Sequence, residues 1–227
     1  HRVLRSSISS WPVVAPGMSD ASVVALLPLA GRVDRLAADA CVDGVPLVVH
    51  AVRRLVESGS VGLVVVVAPE SDVDDALVGM LTEAGLLADG TVRIMTGSTV
   101  SVAASVLATA PDVRVVLVHD PLRPFAPADL VRRVVDAVVA GGAPVVPVLP
   151  CSDTVKRVDD DATVIDTPDR AGLRVVQTPL GYPAELIRSG VVVPGVVPAG
   201  ARLVAGDPAA RRLASPVDLA TVNGITA

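Results

Sequence analysis

The chain has 227 residues, of which 51% are hydrophobic and 19% are charged, and its net charge at pH 7 is −5. This composition supplies enough apolar side chains for a sizeable core and excludes a disordered chain. The negative net charge argues against binding to the phosphate backbone of DNA or RNA. Because only 1% of the residues are aromatic, a sandwich of β-sheets and a base-stacking nucleic-acid binder are also disfavoured.

Cysteine content and hydropathy indicate the compartment. The two cysteines, Cys41 and Cys151, are too few for a disulfide framework, so we expect reduced thiols in a cytoplasmic protein. Apolar runs such as residues 61–68 are far shorter than the ~18 residues that a membrane-spanning helix needs, so we expect no membrane partner. Residues 1–19 lack the apolar stretch of a signal peptide. We interpret residues 1–20 as a mobile tail, an alternative start or a cloning remnant.

From residue 22 onward, short Val-rich runs alternate with longer segments of helical periodicity. The runs predict five strands, at residues 23–29, 62–68, 92–95, 113–119 and 143–149. The periodic segments predict four helices between them, at residues 46–57, 72–84, 100–110 and 127–140. Strands that are apolar on both faces and separated by helices indicate a parallel sheet covered on both sides. Such sheets bind ligands at the carboxyl ends of their strands.

The pattern changes after residue 149. Residues 153–158 and 163–166, joined by three consecutive aspartates, predict a β-hairpin instead of another strand-helix unit. Two further short helices are predicted at residues 182–189 and 216–222. We find no repeat, linker or second core, so we expect one domain over residues 21–227, with a protruding hairpin arm at about residues 151–172.

Four short motifs carry the chemistry. The fourth strand ends in HDPLRPF, residues 119–125, which places a carboxylate and an arginine at the ligand-binding edge. The other three are DTVK at residues 153–156, TPDRAGL at 167–173 and QTPLGY at 177–182. Together, these motifs resemble the HDAARPF, DTxK, T-x-[DE]-R-x-x-L and QTPQGF strings of the 2-C-methyl-D-erythritol 4-phosphate cytidylyltransferase family. The resemblance extends over residues 23–219 and is strongest in the second half.

This resemblance implies an α/β, Rossmann-like nucleotidyltransferase fold with a mainly parallel sheet, flanking helices and a protruding β-hairpin arm. It also implies a homodimer in which the arm embraces the neighbouring subunit. The implied reaction joins CTP and methylerythritol phosphate into CDP-methylerythritol and pyrophosphate with magnesium, as part of non-mevalonate isoprenoid synthesis.

Residue by residue, the resemblance implies that Arg35 and Asp120 are catalytic and that Arg123, Thr154 and Arg170 bind the sugar phosphate. One of the two arm residues would reach in from the partner subunit. Arg170 can form a bidentate contact with phosphate. The implied nucleotide-binding residues are Ala30, Gly31, Gly97, Ser101 and Arg212. We expect His119 to make strand-end hydrogen bonds and residues 177–179 to form a structural turn.

The first half departs from the family pattern at the expected triphosphate loop. Val33 replaces a glycine, and the Pro-Lys pair that should follow is absent. Val100 stands where the family has an arginine, and Ala103 stands where it has a hydroxyl, which Ser101 would supply if the loop is shifted. These changes remove groups that neutralise phosphate charge.

Three hypotheses follow from these departures. The first is a family member with impaired or lost catalysis, a possible pseudoenzyme. The second is an active nucleotidyltransferase in which Arg32 or Arg35 replaces the lysine. The third is a non-catalytic homodimer that binds a sugar phosphate or a protein.

Overall fold

The computed structural model describes residues 22–29, 40–70, 73 and 75–223. The predicted N-terminal tail at residues 1–20 lies outside the described residues. So does the segment 30–39, which contains Ala30, Gly31 and Arg35 of the expected triphosphate loop.

One eight-stranded sheet forms the centre of the protein. The five predicted strands all belong to it: β1 (Val23–Pro28), β4 (Leu63–Ala68), β5 (Val92–Thr96), β6 (Val115–Val118) and β7 (Val145–Pro150). β1 pairs in parallel with both β4 and β6, and β4 pairs in parallel with β5. The predicted mainly parallel sheet is confirmed.

Helices cover both faces of this sheet. They are α1 (Leu47–Glu57), α2 (Asp75–Glu83), α3 (Thr99–Thr109), α4 (Ala128–Gly141), α5 (Ala184–Arg188) and α6 (Pro216–Asn223). The alternation of buried side chains along β1 shows the two layers. Val23, Ala25 and Leu27 pack with α1, α2 and α4, whereas Val24 and Leu26 pack with α3 and α5. The flanking helices of the predicted fold are therefore also confirmed.

Besides β11, described below, four short strands were not predicted from the sequence. β2 (Cys41–Val42) and β3 (Val45–Pro46) form a small separate hairpin. β10 (Arg174–Val176) pairs antiparallel with β7, and β12 (Arg202–Ala205) pairs with β7 in parallel. None of these four strands is a fully buried apolar run like the four-residue β6, so the sequence carries little signal for them and their pairing is decided by distant partners.

The predicted helix at residues 182–189 is too long at its amino end. Residues 180–183 form strand β11 (Leu180–Pro183), which pairs antiparallel with β6, and only Ala184–Arg188 is helical. Tyr182 is buried in the sheet and donates its hydroxyl proton to the Val196 carbonyl at 2.8 Å. Burial of this ring therefore outweighs the helical pattern of the following residues.

The strand order across the sheet is β10-β7-β11-β6-β1-β4-β5, with β12 paired to β7.

The predicted hairpin arm is present. β8 (Arg157–Val158) pairs antiparallel with β9 (Val164–Asp166) in a two-stranded sheet apart from the main one. Asp159 closes the turn, because its carboxylate accepts hydrogen bonds from the backbone of Asp161 and Thr163. Residues 153–156, predicted as part of the first strand, are not in a strand.

Gly181 allows α4 to lie close against the sheet. A Cβ atom at this position would lie 2.6 Å from Cγ1 of Val134 and 2.7 Å from Cγ2 of Val138. Both valines are fully or almost fully buried in α4. The helix therefore packs on the glycine backbone, and a larger residue would force it away.

We expect Gly181→Ala to lower the free energy of unfolding by about 1–3 kcal/mol, the usual cost of overpacking a core. Urea denaturation followed by circular dichroism measures this change. The matched control is Gly79→Ala in α2, where an added Cβ has nothing within 4 Å; it should stabilise the protein by up to about 1 kcal/mol. Equal stability of the Gly181→Ala variant and the wild type would contradict the close approach.

Candidate functional site

The carboxyl ends of the parallel strands meet at one edge of the sheet. The Leu29 amide after β1 donates to the Val67 carbonyl in β4, and the Gly97 amide after β5 donates to the Ala68 carbonyl. The His119 amide after β6 donates to the Leu26 carbonyl in β1. The segments that follow β1, β5 and β6 therefore begin side by side, at the strand ends where the sequence predicted ligand binding.

Asp120 lies at this edge and forms a charged group with two arginines. Its Oδ2 accepts a hydrogen bond from Nε of Arg212 at 2.6 Å, and its Oδ1 accepts the backbone N–H of Leu122 at 2.9 Å. The Nε atom of Arg123 lies 3.9 Å from the same Oδ2. The structure thus brings together three residues that the sequence predicted for the site, across 92 positions of the chain.

Arg123 connects this group to two other segments of the backbone. Its two terminal nitrogens donate to the backbone carbonyls of Ala210, at 2.6 Å, and Val176, at 3.0 Å. Its side chain is only 11% exposed, and burial lowers the pKa of Arg123 while the Asp120 carboxylate raises it. The guanidinium therefore connects the β6 turn to two distant segments. A direct contact between Arg123 and substrate stays a prediction.

His119 is buried next to Asp120 and makes the expected strand-end hydrogen bonds. Its Nε2 lies 3.2 Å from the Arg123 carbonyl and its Nδ1 lies 3.0 Å from the Thr178 hydroxyl. Burial lowers the pKa of His119 from 6.5 to about 4, although the nearby Asp120 charge partly opposes this shift. The imidazole is therefore neutral at physiological pH and serves as a hydrogen-bonding group.

Gly97 and Ser101 form the start of α3 at the same edge. Ser98 and Ser101 make a capping box, in which each hydroxyl accepts the backbone N–H of the other residue. Gly97 has φ +137°, and an added Cβ would lie 2.8 Å from the Ser101 hydroxyl. Ser101 thus holds the first turn of α3 and Gly97 leaves room for its hydroxyl; their contact with a nucleotide stays a prediction.

The two predicted arm residues, Thr154 and Arg170, are both exposed. Arg170 donates to the Ser152 carbonyl at 2.8 Å, and this hydrogen bond connects the two ends of the arm. The neighbouring Lys156 donates to the Thr167 hydroxyl at 2.6 Å. Their binding of sugar phosphate stays a prediction.

Two surface cavities lie away from the Asp120 group. One, of about 460 Å³, lies between Asp112 and Arg188, and the other, of about 530 Å³, lies between Val49 and Met80. Neither is lined by a residue that the motifs predicted. The candidate site is therefore located by its charged residues and its place at the strand ends.

A family profile described as IspD: 2-C-methyl-D-erythritol 4-phosphate cytidylyltransferase matches residues 23–194. The chain belongs to this family. The resemblance inferred from the four motifs is thereby confirmed. The HDPLRPF, DTVK and TPDRAGL motifs all fall inside the matched range, as does the QTPLGY motif.

Curated relatives in the IspD family resemble the chain over most of its length. A 2-C-methyl-D-erythritol 4-phosphate cytidylyltransferase from Nocardia farcinica is 42% identical over 219 residues, covering 88% of this chain and 92% of the relative. A protein of the same name from Saccharopolyspora erythraea is 38% identical over 225 residues, covering 91% of this chain and 100% of the relative.

Solved structures of IspD proteins show the same fold. A 4-diphosphocytidyl-2C-methyl-D-erythritol synthase from Anaerococcus prevotii has a TM-score of 0.72 at 22% identity, covering 93% of this chain and 99% of that one. A 2-C-methyl-D-erythritol 4-phosphate cytidylyltransferase from Thermus thermophilus has a TM-score of 0.66 at 24% identity, covering 90% and 98%. The predicted Rossmann-like nucleotidyltransferase fold is confirmed.

The described donor groups at the site of this IspD family member do not make a protein cage for Mg²⁺. Within residues 22–29, 40–70, 73 and 75–223, no three His, Cys, Asp or Glu side chains cluster as metal ligands. Asp120, the carboxylate of the charged group, already accepts hydrogen bonds from Arg212 and Leu122.

Among the residues that the structure describes, no helix is long and apolar enough to cross a membrane.

We expect the free energy of unfolding to fall as the pH drops from 7 towards 4. An unfolded His119 takes up a proton near its ordinary pKa of 6.5, whereas the folded protein resists this until about 4. The stabilisation is therefore complete above pH 6.5 and decreases below it, by on the order of 3 kcal/mol at pH 4. Urea titrations at several pH values measure it.

The comparison variant is His119→Asn, whose side-chain oxygen can accept the Thr178 hydroxyl. It should be less stable than the wild type at pH 7 and should lose less stability on acidification. An equally steep loss in both proteins would contradict the assignment of this pH dependence to His119.

Proposed function

We propose that the chain transfers the cytidylyl group of CTP to 2-C-methyl-D-erythritol 4-phosphate, in the non-mevalonate route to isoprenoids. The observation that carries this proposal is the Asp120, Arg123 and Arg212 group, placed at the strand-end edge of a chain that belongs to the IspD family. In the reaction, a phosphate oxygen of methylerythritol phosphate bonds to the α-phosphorus of CTP. The bond to the bridging oxygen of the β-phosphate breaks, and CDP-methylerythritol and pyrophosphate form.

The described residues have separate tasks in this reaction. The Asp120 carboxylate accepts a hydrogen bond from the sugar alcohol, and Arg123 holds the turn on which Asp120 lies. Arg212 brings positive charge to the rim, with its side chain 37% exposed beside a 19% exposed Asp120. Phosphoryl transfer depends on such positioning and on charge neutralisation. The arm residues Thr154 and Arg170 bind the phosphate of methylerythritol phosphate.

The nucleotide binds between the loops that begin after β1 and β5. Gly97 and Ser101 lie at the start of α3, where backbone N–H groups favour an anionic or polar ligand. Ala30, Gly31 and Arg35, which follow β1 in the sequence, contact the triphosphate. Magnesium enters as the complex with CTP, because Mg²⁺ is commonly held by substrate phosphates and water with few protein ligands.

Impaired catalysis, the first hypothesis from the sequence, gains no support from the comparisons. The relatives that carry the cytidylyltransferase name are 37–42% identical to this chain. We therefore favour an active enzyme in which Arg32 or Arg35 supplies the positive charge that the absent lysine would provide. The following experiment distinguishes this active enzyme from a non-catalytic protein that binds sugar phosphate.

We expect the purified protein with CTP, Mg²⁺ and methylerythritol phosphate to release pyrophosphate at an ordinary enzyme rate, ~1–10 s⁻¹. Arg170→Ala should lower kcat/KM for methylerythritol phosphate by about 100-fold, because one charged phosphate ligand is lost. The matched control is Arg54→Ala, since Arg54 forms an exposed ion pair with Glu57 on α1. Its activity should equal that of the wild type.

Calorimetric titration with each substrate distinguishes the remaining outcomes. Binding of methylerythritol phosphate without pyrophosphate release would show that the protein is a sugar-phosphate binder and not an enzyme. Binding of neither substrate would refute the proposed function altogether.

We also propose that the protein is a homodimer held by its arms. Val158, Val164 and Ile165 of the arm are 50–59% exposed, and an isolated two-stranded ribbon is marginally stable in water. Light scattering should return twice the chain mass of 23.0 kDa, whereas Ile165→Asp should return the monomer. The control Val139→Asp, at a 64% exposed position of α4, should stay dimeric. A monomeric wild type would contradict this arrangement.

A further inference from the structure

Two adjacent side chains, Gln177 and Thr178, connect the segments that carry Asp120 and Arg212. They lie between β10 and β11, in the part of the QTPLGY motif that the sequence predicted only as a turn. Gln177 is 1% exposed. A turn needs its backbone alone. Here the Thr178 side chain also forms hydrogen bonds with the segment that carries Asp120, and the Gln177 side chain forms them with the segment that leads to Arg212.

Thr178 fixes the backbone of Asp120. Its hydroxyl oxygen accepts the Asp120 N–H at 3.0 Å and lies 3.0 Å from Nδ1 of His119. Because the Arg123 carbonyl beside Nε2 can only accept, the His119 proton lies on Nε2 and the bare Nδ1 accepts the hydroxyl proton. Each partner in this chain of hydrogen bonds therefore has one role.

Gln177 fixes the segment that leads to Arg212. Its Nε2 donates to the carbonyl oxygens of Asp207, at 2.8 Å, and Ala210, at 3.3 Å. Its Oε1 accepts the Asp207 N–H at 2.8 Å. On the other side of Arg212, the Leu213 amide donates to the Leu122 carbonyl at 2.7 Å. The backbone is thus held on both sides of Arg212.

We propose that Gln177 and Thr178 are positioning residues, which set the geometry of the Asp120–Arg212 pair for cytidylyl transfer. The proposal rests on the proposed function and adds two residues to it. Misplacing a reacting group by about 1 Å can lower a rate 100-fold, so residues that hold both charged partners affect turnover without touching substrate.

The first test removes the Thr178 hydroxyl. Thr178→Val should lower kcat/KM for methylerythritol phosphate by about 10–100-fold and leave KM for CTP unchanged, while Thr178→Ser restores most of the activity. In an Asp120→Asn background, Thr178→Val should lower activity no further, because its effect passes through Asp120. An additive loss would overturn the proposal for Thr178. The matched control is Thr82→Val, which removes a hydroxyl bonded to the Val78 carbonyl on α2 and should be fully active.

The second test displaces Gln177. Gln177→Glu replaces a donor by an acceptor that faces two carbonyl oxygens. Because it also buries a carboxylate, Gly206→Ala is a second variant: an added Cβ at Gly206 would collide with the Gln177 amide and lie 3.0 Å from the Val148 carbonyl. The folded variants should show a lower kcat, and this loss should vanish in an Arg212→Gln background. Additive losses would overturn the proposal for Gln177.

A spectroscopic measurement tests the same geometry without turnover. In Thr178→Val, the amide proton of Asp120 should exchange faster with solvent, and the Nδ1 resonance of His119 should shift as it loses its donor. Unchanged exchange and an unchanged Nδ1 resonance would overturn the proposal. A wild-type protein that releases no pyrophosphate would refute the proposed function. The rate of amide exchange at Asp120 would then still test whether Thr178 holds the backbone of Asp120.

Discussion

Burial of polar groups at the end of β6 is the constraint on which the rest of the site depends. The strand lies in the middle of the sheet. The residue that follows it, His119, is therefore still covered by other parts of the chain and is 1% exposed. Buried donors and acceptors without partners cost about 1–3 kcal/mol each. Partners for His119 come from Thr178 and Arg123, and those for Gln177 come from residues 207–210. The hydrogen bonds that satisfy this burial also fix the neighbouring Asp120, which is half-buried.

The division between partnered and exposed charges follows from the same constraint. Arg123 uses its terminal nitrogens on two backbone carbonyls and stays almost covered. Arg212 lies further out, in contact with Asp120 through one short hydrogen bond. One arginine therefore serves the architecture, and the other offers its charge at the rim. A lysine would not replace Arg123, because a single ammonium group lacks the planar fork of two terminal nitrogens that reaches the Ala210 and Val176 carbonyls.

The sequence was sufficient to predict the features that depend on local pattern. Hydrophobic patterning and turn residues predict the five Val-rich strands, the four helices between them and the hairpin arm. Asp120 and Arg123 were recognisable because they follow a strand within one motif. Arg212 was recognised from the family resemblance alone, and its pairing with Asp120 came only from the fold. Gln177 and Thr178 were predicted as a turn, since nothing in their neighbours along the chain shows that their side chains reach residues 30 and 58 positions away.

The distance in sequence between the members of the charged pair has a consequence for its stability. The pair Asp120–Arg212 closes a loop of 92 residues, and the polypeptide returns to the sheet through β12 before reaching Arg212. The entropy of closing such a long loop must be offset by other structure. The pairing of β1 with β6 brings Asp120 to the sheet edge, and Leu213, which follows Arg212, packs in the same core as Val23 and Leu27. A complete charged pair is therefore a sign that this core is intact.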